Sequence, residues 1–308
     1  MPLTAFTNTF AGNPLDRASD KRGDVQWLGE KLADPDSLAI AIWNGQPMVE
    51  GGKDEPRIAY IRASLAGELS GNGEALLFLG LWKDTAVFAV DLADGTDPAD
   101  GGPLDGLGRF VDLRGVATAL PPADAAIIAT AKGMFEWRRR HRYCANCGQP
   151  SHPAEGGWKR VCDTCKVEHF PRTDPVVIML PAKGEKCLLG RQAIWPKGMY
   201  SALAGFLEPG ESIEEACARE LKEEAGLSTA SVRYHSTQPW PYPSSLMIGL
   251  IAEVENDDAT PSDTELEAVR WFTRDEAKAL LAGSLPGLFC PPKLAIAHQL
   301  LKAWAEEG

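Results

Sequence analysis

The stretch GFLEPGESIEEACARELKEEAGL, residues 205–227, decides how this chain is read. Ser212 followed three residues later by Glu215 is a capping box, so a helix is expected to begin there, and Gly226 is placed to end it just past Glu224. At 3.6 residues per turn Ile213, Cys217, Glu220 and Glu224 project on one side, with Ala216 and Leu221 flanking them. The acids therefore share the apolar face. Like charges four residues apart repel, and carboxylates in the last turns oppose the helix dipole, each effect costing about 0.3–1 kcal/mol. A buried carboxylate pair costs more unless a positive charge sits between its members. A hard divalent cation meets that need, and a small set of oxygen ligands with room for water and a phosphate suits Mg2+ or Mn2+ better than zinc. The bland alternative is a solvated acidic helix, but solvated acids belong opposite Ile213 and Cys217, not beside them.

The spacing is Gly205, five residues, Glu211, seven residues, Arg219-Glu220-Leu221, one residue, Glu223-Glu224, one residue, Gly226-Leu227. It resembles the Nudix box at every fixed position. The resemblance implies a Nudix fold of the α/β (α+β) class, with a mixed sheet between helices. It also implies a metal-dependent hydrolase in which water attacks a phosphorus of a nucleoside diphosphate linked to another group.

The 308 residues suit two large units, or two and a small one, and 44% hydrophobic with 24% charged residues is the balance of an ordinary globular chain. A net charge of −12 argues against holding nucleic acid by bulk electrostatics, yet it leaves phosphate substrates open, because bound metal reverses the local sign. The N-terminal residues show no apolar core behind a basic start, and runs such as LAIAIW (38–43) are too short to span a bilayer. A cytoplasmic protein without membrane partners is expected.

Of the seven cysteines, four form two CxxC pairs, Cys144/Cys147 and Cys162/Cys165, fourteen residues apart. Four thiolates so spaced close a tetrahedron around Zn2+ and leave no open position for chemistry, which reads as a structural zinc ribbon. A redox role needs one such pair, not two. Cys187, Cys217 and Cys290 remain, scattered and odd in number, which is not a disulfide framework.

Three domains are expected: a support domain over 1–140, the ribbon over 141–172 and the hydrolase domain over 173–308. The first carries strand-like runs at 38–43, 57–61, 75–82 and 85–92, with a hairpin at Lys83-Asp84. A Gly/Asp/Pro-rich loop follows over 92–107, then a helix from Pro121 to about Arg142. It reads as mostly β, with no catalytic pattern. The helix ends in WRRRHR (137–142), which suits either phosphates or RNA, or a solvated last turn whose cations complement the helix C-terminus; the second reading is favoured. In the hydrolase domain, strands are expected at 174–180, 186–189, 231–235, 245–254 and 268–272, with helices at 274–281 and 293–306.

Between two of those strands lies TQPWPYPSS (237–245), whose alternate prolines should exclude a sheet ladder and leave a stiff irregular loop. Rigid aromatics beside hydroxyls suit a nucleotide, and a proline-stiffened crossover with a packed tryptophan explains the same residues. The array, about ten residues after the box, resembles the S-Q-P-W-P-F-P-x-S marker of the NADH pyrophosphatases, departing at Thr237 and Tyr242. The ribbon and the extra N-terminal domain match that subfamily as well.

This second resemblance implies zinc on Cys144, Cys147, Cys162 and Cys165. It implies catalytic Mg2+ or Mn2+ on the Ala204 carbonyl and on Glu220, Glu224 and Glu265, with Glu223 as ligand or base and Arg219 orienting it. Phe206 and Phe170 match rings that pack on the nicotinamide, Phe170 reaching into the neighbouring subunit's site, so a homodimer is expected. Gln238, Pro239, Trp240, Pro241, Tyr242, Pro243, Ser244 and Ser245, together with Ala297, match substrate contacts. Arg114 matches a phosphate-facing arginine across a gap. The implied reaction splits NADH or NAD+ into AMP and nicotinamide mononucleotide, and the family also removes NAD caps from RNA. The rivals are a Nudix hydrolase of another nucleotide, such as ADP-ribose or a diadenosine polyphosphate, and a zinc-ribbon interaction protein whose acidic helix is not catalytic.

Overall fold

A computed structural model describes residues 8–71, 73–92, 95–261 and 265–307. Residues 93 and 94 of the expected loop, Thr264 and the first seven residues lie outside that set. The chain divides into two compact units: residues 9–173 with 240–244, and residue 8 with 174–239 and 245–308.

The first unit opens with α1 (Val25–Ala33), whose N-cap Asp24 accepts from the Trp27 N–H. Then come β1 (Leu38–Trp43), β2 (Gln46–Glu50), β3 (Arg57–Ile58), β4 (Tyr60–Arg62), α2 (Ala63–Leu69), β5 (Leu76–Trp82), β6 (Thr85–Asp91) and β7 (Arg109–Phe110). α3 (Leu113–Val116) and α4 (Pro122–Arg140) close the domain. Its sheet runs β3-β2-β1-β6-β5, with β4 on β1, β7 on β2, and β1 parallel to β6. Ala39, Ala41, Phe78, Phe88 and Val90 pack with Ala63 and Ala66 of α2. The expected strand at 57–61 is two short strands, and the half expected to be mostly β carries α1 and α2 as well.

The ribbon adds β8 (Ser151–Ala154), β9 (Lys159–Cys162) and β10 (Glu168–His169) as a three-stranded antiparallel sheet. Trp158 anchors it to the N-terminal domain. The indole N–H donates to the Phe78 carbonyl at 2.6 Å, and the Arg22 guanidinium lies 3.8 Å from the ring centroid.

The second unit holds β11 (Asp174–Lys183), β12 (Lys186–Arg191), β13 (Leu203–Phe206), α5 (Ile213–Ala225), β14 (Thr229–Trp240), β15 (Ser245–Val254), β16 (Ala268–Thr273), α6 (Arg274–Leu281) and α7 (Ile296–Glu306). Its sheet runs β14-β15-β11-β12-β16, with β13 on β11 and β15 parallel to β11. Alternation along β11 sends Val177 and Met179 toward α5, and Ile178 and Leu180 toward α6 and α7. The sheet is thus covered by helices on both faces, as expected of the fold.

One expectation needs correction. β14 continues through Gln238 and Pro239 to Trp240, where the alternate prolines were expected to prevent a ladder, and only 241–244 form a turn. β14 is an edge strand, and an edge tolerates the missing N–H of a proline. α7 also starts at Ile296, three residues later than expected.

Candidate active site and zinc centre

The local rules of the helix place the acids. Both halves of the capping box at Ser212 and Glu215 are made, and Gly226 ends α5 in the left-handed conformation at φ 69°. Glu220 and Glu224, one turn apart, are 9% and 4% exposed among Ala216, Cys217 and Leu221. The carboxyl of Glu220 lies against the backbone of Gly205, where a Cβ would come within 1.9–2.2 Å of it. No residue larger than glycine fits beneath the acid.

Arg219 organises the rim. Nε and Nη2 donate to the two oxygens of Glu211 at 2.6 and 2.9 Å, and Nη1 donates to Glu220 at 2.8 Å and Glu223 at 3.0 Å. Nη2 also donates to the Phe206 carbonyl at 2.9 Å, so all five guanidinium N–H groups are used. Arg219, with a backbone N–H from Glu208, holds the Glu211 carboxyl down at about 2. The sequence reading paired Arg219 with Glu223 alone. The clamp on Glu211 joins the loop before the helix to its second turn, and the fixed Glu211 of the box was the available signal.

Glu224 behaves oppositely. Burial first, then the charges of Glu220 and Glu265, push its carboxyl up to about 8, against one backbone N–H from Ala204. Its Oε2 is buried without a hydrogen-bond partner. Burial raises Glu220 too, with Arg219 opposing. Repelling carboxylates around an orphaned, buried oxygen are the arrangement a hard cation relieves, so these residues fit a divalent ion. Glu265 is exposed, and its charge contributes to raising both Glu220 and Glu224.

The other candidates fall into two groups. Phe206 and Phe170 present rings 61% and 63% exposed, open for stacking. Trp240 and Tyr242 stand edge to face at 5.2 Å, with Phe10 packed on both, and the Arg114 guanidinium lies 4.0 Å from the Tyr242 centroid. The structure therefore brings Arg114 onto the proline turn. Pro239 lies within the edge strand one residue before its end, Pro241 is buried, the Tyr242–Pro243 peptide is cis, and Ser244 leads into β15 at the buried Ser245. Gln238, expected to face substrate, is 1% exposed: its amide donates to the Leu294 carbonyl and accepts from the Ile296 N–H, fastening the start of α7. Ala297 is buried in the next position of that helix.

In the ribbon, the ligand atoms of Cys144, Cys147, Cys162 and Cys165 all lie within 4.8 Å of one another. Tetrahedral zinc with Zn–S of about 2.3 Å sets sulfurs about 3.8 Å apart, so the four fit zinc. Backbone N–H from Val167 and the Asn146 side chain hold the Cys165 thiol down at about 6, which favours the ligating thiolate. His169 Nε2 lies 3.2 Å from Cys144 Sγ, a contact that nothing in the local pattern signals.

A helix-covered mixed sheet carrying an arginine-clamped acid cluster defines a hydrolase domain of the Nudix type. Family models match along the chain: an NADH pyrophosphatase-like rudimentary NUDIX domain over residues 36–137, an NADH pyrophosphatase zinc ribbon domain over 139–170 and a NUDIX domain over 170–288. The NAD-capped RNA hydrolase of Schizosaccharomyces pombe is 39% identical over 358 residues, covering 98% of this chain and 94% of that protein. The human NAD-capped RNA hydrolase NUDT12 is 34% identical over 340 residues, with 96% and 73% covered. Human mitochondrial NAD(P)H pyrophosphatase NUDT13 is 41% identical over 213 residues, covering 65% of this chain and 60% of that protein. The chain belongs to the NADH pyrophosphatase subfamily of the Nudix hydrolases.

Proposed function

We propose that this protein hydrolyses the pyrophosphate bond of NADH and NAD+ to AMP and nicotinamide mononucleotide, reduced or oxidised, and removes NAD caps from RNA. The observation that carries the reading is the buried Glu220–Glu224 pair with an unpartnered oxygen, in a chain whose relatives act on NAD(P)H and NAD-capped RNA.

Glu220, Glu224, Glu265 and the Ala204 carbonyl would hold Mg2+ or Mn2+, which would neutralise the pyrophosphate and lower the pKa of water. Arg219 fixes Glu220 and Glu223 in place, and Glu223, the exposed member, would serve as a further ligand or as the base. Water oxygen bonds to phosphorus, the bridging P–O bond breaks, and a glutamate takes the proton. Phe206 packs on the nicotinamide, and Phe170 of one protomer serves the site of the other in a homodimer. Trp240, Tyr242, Ser244, Ser245, Arg114 and Ala297 contact the substrate; Gln238 acts by tying the turn-bearing strand to α7. The working domains are 1–140, 141–172 and 173–308, with zinc a structural clamp in the second. Among the described residues no helix is long and apolar enough to cross a membrane, and all seven cysteines are free, which supports a cytoplasmic setting.

A panel of NADH, NAD+, NAD-capped RNA, ADP-ribose and diadenosine polyphosphates, each with and without Mg2+ or Mn2+, tests the reading. Turnover highest on the NAD compounds and dependent on the added ion is expected. Preference for ADP-ribose, or no ion-dependent turnover, overturns it. Sedimentation of a monomer with undiminished specific activity removes the shared-site dimer.

A further inference from the structure

The arginine run that ends α4 divides in two. Arg138 is buried and donates to the carbonyls of Leu76, at 2.8 Å, and Glu74, and Arg160 is buried and fastened to Ser151. These two brace the fold. Arg139 and Arg142, however, join them in the wall of a cavity of about 410 Å3, with Asp91 inside and Tyr143 at its margin. That volume is in the range of small-molecule sites.

Three features of the cavity point to a ligand. Four guanidinium groups line the cavity with two carboxylates, Asp91 and Glu74, and Glu136 pairs with Arg139 at 3.3 Å, which still leaves one positive charge in excess. Burial and the neighbouring Arg160 charge together hold Arg138 at about 10, a strain that an anion relieves. Two buried polar atoms from lining residues, Arg139 Nε and Asp91 Oδ1, have no hydrogen-bond partner. One is a donor and the other an acceptor. A ligand that satisfies both offers an anionic oxygen and a hydroxyl. Tyr143, 67% exposed and held by a backbone bridge to Pro150, offers a ring beside them.

We propose that this cavity is a second nucleotide site, distinct from the acid cluster on α5, which takes one nucleoside monophosphate unit. Phosphate oxygens lie on Arg139 and Arg142, a ribose hydroxyl donates to Asp91, and the base stacks on Tyr143. The unit is either a free nucleotide or one residue of an RNA strand, since both carry the same groups.

The test uses full-length protein, AMP, and a 5′-phosphorylated RNA hexamer without an NAD cap. Arg142→Gln and Tyr143→Ala change exposed side chains and should leave the thermal midpoint and NADH hydrolysis unaltered. Each should weaken probe binding, read by calorimetry for AMP and by anisotropy for the hexamer, by about tenfold. A hexamer that binds more tightly than AMP, with an equal rise in KM for NAD-capped RNA in the variants, identifies the RNA strand as the source. Equal affinity for the two probes identifies the free nucleotide. Unchanged affinities in both variants, no binding of either probe to the wild type, or a parallel loss of NADH hydrolysis overturns the proposal. Because NADH hydrolysis is read separately, failure here leaves the reading of the acid cluster standing.

Discussion

The two large sheets of this protein have the same wiring and different chemistry. In the N-terminal domain the order is β3-β2-β1-β6-β5, and in the hydrolase domain it is β16-β12-β11-β15-β14. In each, a central strand is parallel to a later one on one side and takes two antiparallel strands on the other: β2 and β4 on β1, β12 and β13 on β11. In each, a helix follows the second of those strands, α2 in one and α5 in the other. α2 is seven residues long, and its buried residues are Ala63 and Ala66. α5 is thirteen residues long and buries Glu220 and Glu224 with its apolar side chains. The shared fold does not distinguish the domains; the side chains on one helix do. α2 buries methyl groups at no electrostatic cost, whereas α5 carries two carboxylates that become comfortable when a cation is bound.

The largest effect should come from removing that difference at its centre. Glu224→Gln keeps the volume and deletes the charge, so turnover of NADH should fall by about a thousandfold or more. The metal-free variant should melt no lower than wild type, because the replaced oxygen has no partner to lose. It should also lack the rise in melting temperature expected when a divalent cation binds the wild type. Near-normal turnover would place the chemistry elsewhere.

The legibility of each region follows from how local its determinants are. α5 was readable to the residue, because Ser212, Glu215 and Gly226 set its ends through contacts within four residues. β1, β5, β6, β11 and β15 were readable because each is a compact apolar run. α2 was not: its N-cap is Arg62, with no side-chain cap bond, and its seven residues are too few to display a 3.6-residue period. The reach of β14 through Pro239 depends on its edge position, which only the assembled sheet defines. Likewise the Glu211 clamp, the burial of Gln238 against Leu294 and the approach of His169 to Cys144 join residues brought close by folding. Composition and spacing reported which acids share the apolar face of α5; their supports were tertiary.

Next in size is Gly205→Ala. The new methyl would occupy the seat of the Glu220 carboxyl, so the acid must move by about an ångström, a displacement that costs about a hundredfold in rate. Added Mg2+ or Mn2+ should only partly restore it. Full activity would mean that Glu220 does not need its place against the β13 backbone.

Arg219→Lys should cost less, about tenfold, with weaker metal binding as its signature. Lysine keeps the positive charge, but it cannot grip both oxygens of Glu211 while also reaching Glu220, Glu223 and the Phe206 carbonyl. An apparent metal constant unchanged in Arg219→Lys would show that charge, not the five-donor fork, is what the rim requires.

The smallest expected effect is the matched change in the other helix. Gly67 lies within α2, and a Cβ there meets the Leu32 Cδ2 at 3.1 Å, the movable tip of a side chain, in contrast to the carboxyl seated on Gly205. Alanine also favours a helix over glycine by about 0.5–1 kcal/mol, so the gain and the small shift of Leu32 should nearly offset. Gly67→Ala should therefore leave NADH turnover unchanged and move the melting temperature by no more than a few degrees. If it instead lowered turnover as Gly205→Ala does, α2 would be coupled to the chemistry, and the N-terminal sheet would have to be treated as part of the catalyst and not as its passive counterpart.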